Sequence, residues 1–421
     1  MKKGGKNVKQ GYKTEKSVEF IAEKIIENAL NLKASDVHIE PREDSTLIRF
    51  RIHGSLRDFE KLPKDHAKKL AKHFKSVGGL DFSEKVFAQS MSFKHGNCRI
   101  RASISPTFLG EKTTLRLLSA KSRVRSLEEI GLFGDNLRRV RQAIRQPHGI
   151  IFTLGKGKNN TNFALLKEII SSEKNIVTVE NHIEKSIAEI NQTEINQRIG
   201  LDYYHATKAA LNQNPDVILI DNLQDPKTAE LIFDAATRGK LIIASLPISK
   251  TSEVIPYLEF LKVPNFLLST NILLIISQIL VRTANENALE FKKINKIESR
   301  VILKEFQTDI NQLHSLEKSA KKFLGGDKIH TSDSAILEIP QIKPELSEIG
   351  FTGITGIFEV LSLIDGKIGK DFKKLIASSP NSSEIEEFLE ENNFTTLKID
   401  GLVKSLRGKT SLKEIMRKTG Y

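Results

Sequence analysis

The sequence predicts an α/β protein: a doubly wound, mostly parallel sheet, preceded by a smaller α+β domain and followed by a mostly helical C-terminal region. Three observations carry this. Four short runs, Gly149-Ile-Ile-Phe-Thr153, Asn175-Ile-Val-Thr-Val179, Asp216-Val-Ile-Leu-Ile220 and Lys240-Leu-Ile-Ile-Ala244, are continuously apolar and β-branched, as strands buried on both faces of a parallel sheet must be. Helical segments such as Asn162 to Ser171 and Thr228 to Arg238 fit between them, which is the alternation of a doubly wound core. Earlier in the chain the pattern changes, and Leu47-Ile-Arg-Phe-Arg-Ile52 alternates so that Arg49 and Arg51 share one face of a half-buried strand.

In chain order, Met1 to Lys16 is rich in Lys and Gly with no apolar run, and it reads as a disordered basic tail instead of a signal peptide. From Ser17 to Leu32 apolar residues recur at helical spacing (Val18, Ile21, Ile25, Ala29), and Ala34 to Pro41 reads as a turn leading into a strand. A Lys-rich helix over Pro63 to Val77 and strands over Cys98 to Ser105 and Thr113 to Leu118 complete an α+β domain over residues 17–120. The Ser/Arg-rich stretch 121–134 is the linker candidate, 135–283 the α/β core and 284–421 the helical region. Phe266 to Val281, the most apolar stretch, is broken by Ser269, Asn271, Ser277 and Gln278; it stops short of a membrane span and reads as a buried helix.

Composition narrows the function classes. With 28% charged and 39% hydrophobic residues in 421, the chain is neither disordered, collagen-like nor disulfide-stapled. Residues 1–146 hold 31 basic and 17 acidic side chains and the remainder 34 and 35, so the net charge of +13 resides in the first third. That part of the chain faces something anionic, or the charge serves solubility alone. The single cysteine, Cys98, excludes a disulfide and a cysteine-cluster zinc site and fits a reducing compartment. Aromatic residues are 6% and Trp is absent, so base stacking on nucleic acid has few side chains to use and no specific nucleic-acid binding is expected.

The strand, glycine loop and helix from Gly149 to Leu165 have the layout in which α/β folds hold phosphates. The loop reads Gly155-Lys156-Gly157-Lys158-Asn159-Asn160-Thr161-Asn162. A P-loop requires Gly, four residues, then Gly-Lys-Ser/Thr. Asn160 stands at the second glycine, Thr161 at the lysine and Asn162 at the magnesium-binding hydroxyl. At an effective dielectric of about 20, one charge roughly 4 Å from a phosphate is worth on the order of 4 kcal/mol, about a thousandfold in affinity. Lys156 and Lys158 are the side chains that could substitute. Asn214 to Asp225 has the form of a Walker B strand, with Asp221 at its end as a displaced metal ligand or a solvated turn residue. Asn222 takes the place of the catalytic glutamate, and an amide accepts no proton.

This order of motifs resembles the type II secretion and type IV pilus assembly ATPase family from about Val18 to the C-terminus. The resemblance is carried by Ala34 to Pro41 with Arg49, Arg51 and Ile52-His53-Gly54; by Arg101 to Thr107 and Gly110 to Arg116; and by Pro147-His-Gly149, Ile176 to Glu180, Gly200-Leu201 and Gln213 to Asp216. Gly350 to Glu359, Asp400 to Lys404 and Gly408-Lys-Thr410 extend it. It implies a RecA-like P-loop NTPase core, ATP with Mg2+ as cofactors, and hexamers working in the cytoplasm at an inner-membrane platform protein. It also implies that arginines of the N-terminal domain, here Arg49, Arg51, Arg101 and Arg116 with Arg99 beside them, reach the nucleotide; pairing with carboxylates at a subunit interface is the other reading. Because the resemblance begins near residue 17, the family's N-terminal docking domain is expected to be missing.

The departures from the family are systematic. Its Asp-box carboxylate falls on Asn181, leaving Glu180 and Glu184 as water-positioning candidates; its His-box histidine falls on Pro247. The arginines around Walker B fall on Asn212 and Gln224, the C-terminal signature arginine falls on Ile354, and the four-cysteine zinc loop is lacking, so no zinc and no metal-ligating set is assigned. Loss of chemistry with retention of scaffold implies a pseudo-ATPase with weak or absent ATP/Mg2+ binding, in a homo- or hetero-hexamer with an active paralogue. The alternative is a divergent but working motor that uses Lys156, Lys158 and Glu180.

Overall fold

A computed structural model describes residues 17–84, 86–119, 123–171, 173–320, 337–343, 350–364 and 366–420. The proposed tail, 1–16, lies outside them. The chain divides into two compact units, Met1–Ser122 and Arg123–Tyr421.

The first unit runs α1 (Val18–Asn31), β1 (Ala34–Pro41), β2 (Ser45–Ile52), β3 (Ser55–Pro63), α2 (His66–Val77), β4 (Gln89–His95), β5 (Cys98–Thr107) and β6 (Gly110–Ser119). Ser17 starts α1 by accepting the Phe20 amide on its hydroxyl, which satisfies one of the orphan donors of a helix start. The strands form an antiparallel sheet in the order β3-β2-β1-β6-β5-β4. Its apolar side, with Val37, Ile39, Phe50, Ile100 and Leu115, packs with Ile25 of α1 and Leu70 and Phe74 of α2. Strand alternation sends the intervening charges to the opposite face. There Glu40, 6% exposed, takes Arg42 at 2.7 Å and Arg49 and Lys112 each at 2.8 Å. Asp36 takes Arg116 at 3.2 Å and Arg51 at 3.6 Å. Arg49, Arg51 and Arg116 are thus paired with carboxylates of their own sheet, while Arg101 sits directly across from Arg116 in the β5–β6 ladder.

The second unit begins with α3 (Gly134–Ile144), β7 (Gly149–Gly155), α4 (Lys158–Ile169), β8 (Ile176–Glu180), β9 (Asn191–Glu194), α5 (Tyr203–Leu211), β10 (Val217–Ile220), α6 (Pro226–Thr237) and β11 (Leu241–Ser245). It continues with α7 (Val254–Phe260), α8 (Asn265–Asn271), β12 (Ile272–Ala284), β13 (Leu289–Lys293), α9 (Lys296–Glu305), α10 (Ile310–Ala320), β14 (Glu338–Ile342) and β15 (Phe351–Ser362). Helices α11 (Gly366–Ile376), α12 (Ser382–Glu391), α13 (Leu397–Leu406) and α14 (Leu412–Thr419) end it. The main sheet has the order β15-β12-β7-β11-β10-β8-β9, with β15 antiparallel to β12 and every other pair parallel. Both faces are covered. Ile218 and Ile220 of β10 face a core shared with α5, α6, α7 and α8. Val217 and Leu219 face one shared with α3 and α4. Such double burial explains the continuous apolar runs.

The structure differs from the sequence expectation in four places. Phe266 to Val281 is not one buried helix: α8 ends at Asn271 and the rest is β12, paired to both β7 and β15. A fully buried strand and a buried helix share the same apolar run, so periodicity alone does not separate them. Helix α4 starts at Lys158, four residues before the expected Asn162. Within the 121–134 stretch, Leu127, Ile130 and Leu132 are buried in the second unit's core. The region after 284 also adds β15 to the main sheet, and a buried ion pair docks its helices: Lys404 Nζ donates to Asp400 Oδ2 at 2.6 Å and to the Gly356 carbonyl at 2.7 Å. The Phe358 amide donates to the same carboxylate at 2.8 Å, and the ammonium lies over the Phe133 and Phe358 rings.

Two tests follow from these charges. Burial by itself favours the neutral Glu40 acid, but hydrogen bonds and charge from Arg49 and Lys112 outweigh it and bring the group to about 2, below its ordinary 4.5. Its contribution is therefore complete above about 4.5 and lost as pH falls toward 2. Glu40→Gln is expected to lower stability by roughly 3 kcal/mol at neutral pH and to flatten that acid limb, read by urea unfolding across pH. Lys404→Met strands a buried carboxylate and is expected to cost about 3–5 kcal/mol in the same assay, much of it recovered by adding Asp400→Asn.

Candidate functional site

Parallel sheets bind ligands at the carboxyl ends of their strands, and four segments meet there: Gly155 ending β7, Glu180 ending β8, Asp221 after β10 and Ser245 ending β11. The β7–α4 turn is built against β12. Gly155 has φ +82°, and an added Cβ would lie 2.1 Å from the Gln278 carbonyl oxygen, so only glycine fits. Gly157, at φ +92°, precedes α4. The Asn160 amide donates to the Gly157 carbonyl at 2.9 Å. Asn159, Asn160, Thr161 and Asn162 all belong to the helix, and the wide loop that would wrap a phosphate is replaced by a helical turn.

The two side chains at the lysine and hydroxyl positions point inward. Thr161, 1% exposed, donates its hydroxyl to Gln278 Oε1, and Gln278 in turn donates its amide to the Lys156 carbonyl at 3.0 Å. Asn162, also 1% exposed, closes a ring: Thr153 Oγ1 donates to Asn162 Oδ1 at 2.7 Å and Asn162 Nδ2 donates to Ser245 Oγ at 2.8 Å. The two hydroxyls lie 2.9 Å apart, so the Ser245 hydroxyl completes the ring by donating to Thr153. The Asn162 amide accepts on its oxygen and donates from its nitrogen, so each of its two polar atoms has a partner in this ring.

Lys156 is exposed. Lys158 folds back, its Nζ donating to the Leu246 carbonyl at 2.7 Å; burial pulls its pKa below the usual lysine value against the pull of the Asp221 carboxylate. Asp221 is not a solvated turn residue. One oxygen accepts the Tyr203 hydroxyl and the other the Asn181 backbone amide at 2.9 Å. Burial pushes its acid up, with the Tyr203 bond opposing, and burial beside Asp221 pushes the Tyr203 phenol up as well. Glu180, 2% exposed, accepts Thr178 Oγ1 at 2.6 Å and Gln192 Nε2 at 2.9 Å, and burial raises its pKa. Glu184 is half-buried and adds to that rise. The side chains of Asn181 and Pro247 are exposed, and Asn222 is half-buried.

Magnesium with a nucleotide needs a loop hydroxyl and a strand-end acid with free oxygens. The hydroxyl is not offered here, since residue 162 is an amide locked in its ring, and each Asp221 oxygen already accepts one hydrogen bond. Among the described residues no group of three or more His, Cys, Asp or Glu side chains is placed to hold a metal ion. With an amide in place of the loop hydroxyl, the residues present do not fit the metal as that loop would hold it.

Three further side chains, Gln278, Tyr203 and Lys185, complete the site. Gln278 left a trace, as a polar residue inside an otherwise apolar run. Tyr203 and Lys185, whose Nζ reaches Asn160 Oδ1 at 3.4 Å, left none, because what brings them to the site is the packing of α5 and of the segment between β8 and β9. Restoring the family lysine is expected to fail: Thr161→Lys forces an ammonium into a closed polar core. It should lower stability by about 2–4 kcal/mol by urea unfolding, with no gain in ATP turnover.

Comparison with known proteins places this geometry. A family model described as "Type II/IV secretion system protein" matches residues 12–417. The type IV pilus assembly ATPase PilB of Thermus thermophilus is 30% identical over 413 residues, covering 96% of this chain and 43% of that protein. The type II secretion system protein E of Dickeya dadantii is 32% identical over 402 residues, covering 94% and 74%. The chain thus spans less than half of the Thermus protein and about three quarters of the Dickeya one. Among solved structures, the Legionella pneumophila ATPase DotB superposes with a TM-score of 0.65 at 17% identity, covering 97% of both chains. The pilus retraction motor PilT with bound ADP gives 0.58 at 20%, covering 94% of this chain and 96% of PilT. At such identity the likeness speaks for the fold, which is RecA-like. No helix among the described residues is long and apolar enough to cross a membrane. With a family match over nearly the whole chain and relatives at 30% or more, the chain belongs to the type II/IV secretion system protein family.

Proposed function

We propose that this chain is a non-hydrolysing member of that family, a structural or regulatory subunit of a type II secretion or type IV pilus system. One observation supports the reading above all: Thr161 and Asn162, at the positions that would touch phosphate and metal, are 1% exposed and bonded to Gln278, Thr153 and Ser245. A ligand would have to break those bonds before making its own, and each buried partner left unpaired costs about 1–3 kcal/mol. The rest of the fold is kept, so the chain retains the surfaces of its family while lacking the reaction.

Such a subunit assembles as a homo- or hetero-hexamer, with an active paralogue supplying turnover, on the cytoplasmic side of an inner-membrane platform protein. The reading is supported by the relatives' secretion and pilus roles and by the degenerate loop. A working motor would need Lys156, Lys158 and Glu180 at a phosphate; Lys158 is committed to the Leu246 carbonyl and Glu180 is buried.

The deciding experiment is ATP·Mg2+ titration by calorimetry beside phosphate release on the same preparation. No binding tighter than about 1 mM, or −4 kcal/mol, and turnover at the level of the buffer blank are expected. Turnover above the blank that disappears in Lys158→Ala would overturn the proposal.

A further inference from the structure

We propose that one end of the first unit is a membrane-surface site. Exposed lysines of α2 take the anionic headgroups of a bilayer, and Phe82, Val86, Phe87 and Phe108, on two neighbouring turns, enter its interface. This goes beyond the function proposed above and stands whether or not the chain turns over ATP.

Residues 61–77 hold six lysines and one acid. Helix α2 buries Ala67, Leu70, Ala71 and Phe74, and the acid, Asp65, is taken by Lys69 and His66. Lys68 and Lys72 are exposed and, among the described residues, pair with no carboxylate. Positions 68, 72 and 75 follow the i, i+4, i+7 spacing that lines side chains along one stripe of a helix.

Lys75 is where that stripe meets the two turns. It is 2% exposed; its Nζ donates to the Glu84 carbonyl at 2.7 Å and pairs with Glu111 at 2.7 Å. Glu84 belongs to the segment between α2 and β4, and Glu111 lies just past the β5–β6 turn that carries Phe108. Both turns are thus gathered at the C-terminal end of α2. Their polar groups are satisfied locally. Glu84 Oε1 accepts the Val86 and Phe87 amides at 2.6 and 2.9 Å, and Asp81 Oδ1 accepts the Ser83 amide and hydroxyl, each at 2.7 Å. Thr107 Oγ1 donates to the Gly110 carbonyl at 2.5 Å. With those acids turned to neighbouring donors, the apolar side chains stand outward: Phe82, Val86 and Phe87 are exposed and Phe108 is completely so.

An anionic leaflet attracts clustered lysines, and aromatic side chains beside them gain by leaving water for the headgroup boundary. The two terms reinforce each other, and surface binding rests on such paired signals. A protein partner would ask for a packed, water-excluding apolar patch. Here the apolar groups project from separate turns beside unpaired lysines, an arrangement that a fluid anionic surface accommodates without a preformed pocket.

The test uses the full chain and its lack of Trp. In flotation assays it is expected to bind vesicles of phosphatidylcholine with about a third phosphatidylglycerol, not phosphatidylcholine alone, and to be released by high salt. Lys68→Glu with Lys72→Glu is expected to weaken binding roughly tenfold or more at an unchanged unfolding midpoint, since neither lysine has a carboxylate to lose. Phe108→Trp supplies a lone reporter whose emission is expected to shift blue on vesicle addition and to be quenched by brominated acyl chains. Ile199→Trp, at an exposed position of the second unit, is expected to show neither. Where the charge reversal perturbs the fold, the two reporters decide. The inference is overturned by no uptake on anionic vesicles, by equal uptake on phosphatidylcholine, by binding that a folded double reversal leaves intact, or by a Phe108→Trp signal no more quenched than that of Ile199→Trp. Binding to inner-membrane vesicles that protease treatment removes, with none to pure lipid, would assign the surface to a protein and overturn it as well. None of these readouts involves nucleotide, so the proposed function stands or falls separately.

Discussion

The ring of hydrogen bonds joining Thr153, Asn162 and Ser245 is the constraint on which the rest of the second unit depends. It joins β7, α4 and β11 at the end where a parallel sheet opens. Dipoles, strand ends and a helix start all converge there, and buried polar groups at that place need partners. A ligand-binding member of such a fold can leave them to the ligand. In this chain they are satisfied internally, and each neighbouring feature follows: α4 extends back to Lys158, Gln278 of β12 holds Thr161 and the Lys156 carbonyl, and Asp221 is closed by Tyr203. Because the ring is cyclic, each bond polarises the next, and opening one member weakens all three.

Charge in the first unit obeys the same logic with different residues. Its excess of basic side chains invites a reading in terms of an external anion. Yet Arg49, Arg51, Arg116 and Lys112 converge on just two carboxylates, Glu40 and Asp36, within one sheet face. Glu40 is held ionised far below its usual range by these cations, and the two acids together tie β1 to β2 and β6. The asymmetry seen in composition is thus in part an internal structural network.

The apolar run at the end of the α/β core can be helix or strand without changing the fold class. The run from Phe266 to Val281 was apolar enough to be buried, and it is buried, but as α8 followed by the strand that bridges β7 and β15. Once β12 occupies that place, its polar exceptions become intelligible. Ser277 donates to the Ser249 carbonyl at 2.6 Å, and Gln278 holds the loop. On the other side, Arg282 binds Glu414 at 2.7 Å and docks α14. Polar residues within a buried run were the available clue that the segment serves a site.

By itself the sequence determined the class of the protein, because double burial forces continuous β-branched runs and those survive any local drift. It also determined what was missing: a lysine, a hydroxyl and a glutamate can be found absent by counting from Gly155 and along the Walker B strand. What replaced them was decided only by tertiary structure. Tyr203 is 18 residues from Asp221, Lys158 is 88 from Leu246 and Gln278 is 117 from Thr161. Their partnership depends on where α5, β12 and α4 pack, and no local pattern encodes which buried side chain will satisfy another across a sheet.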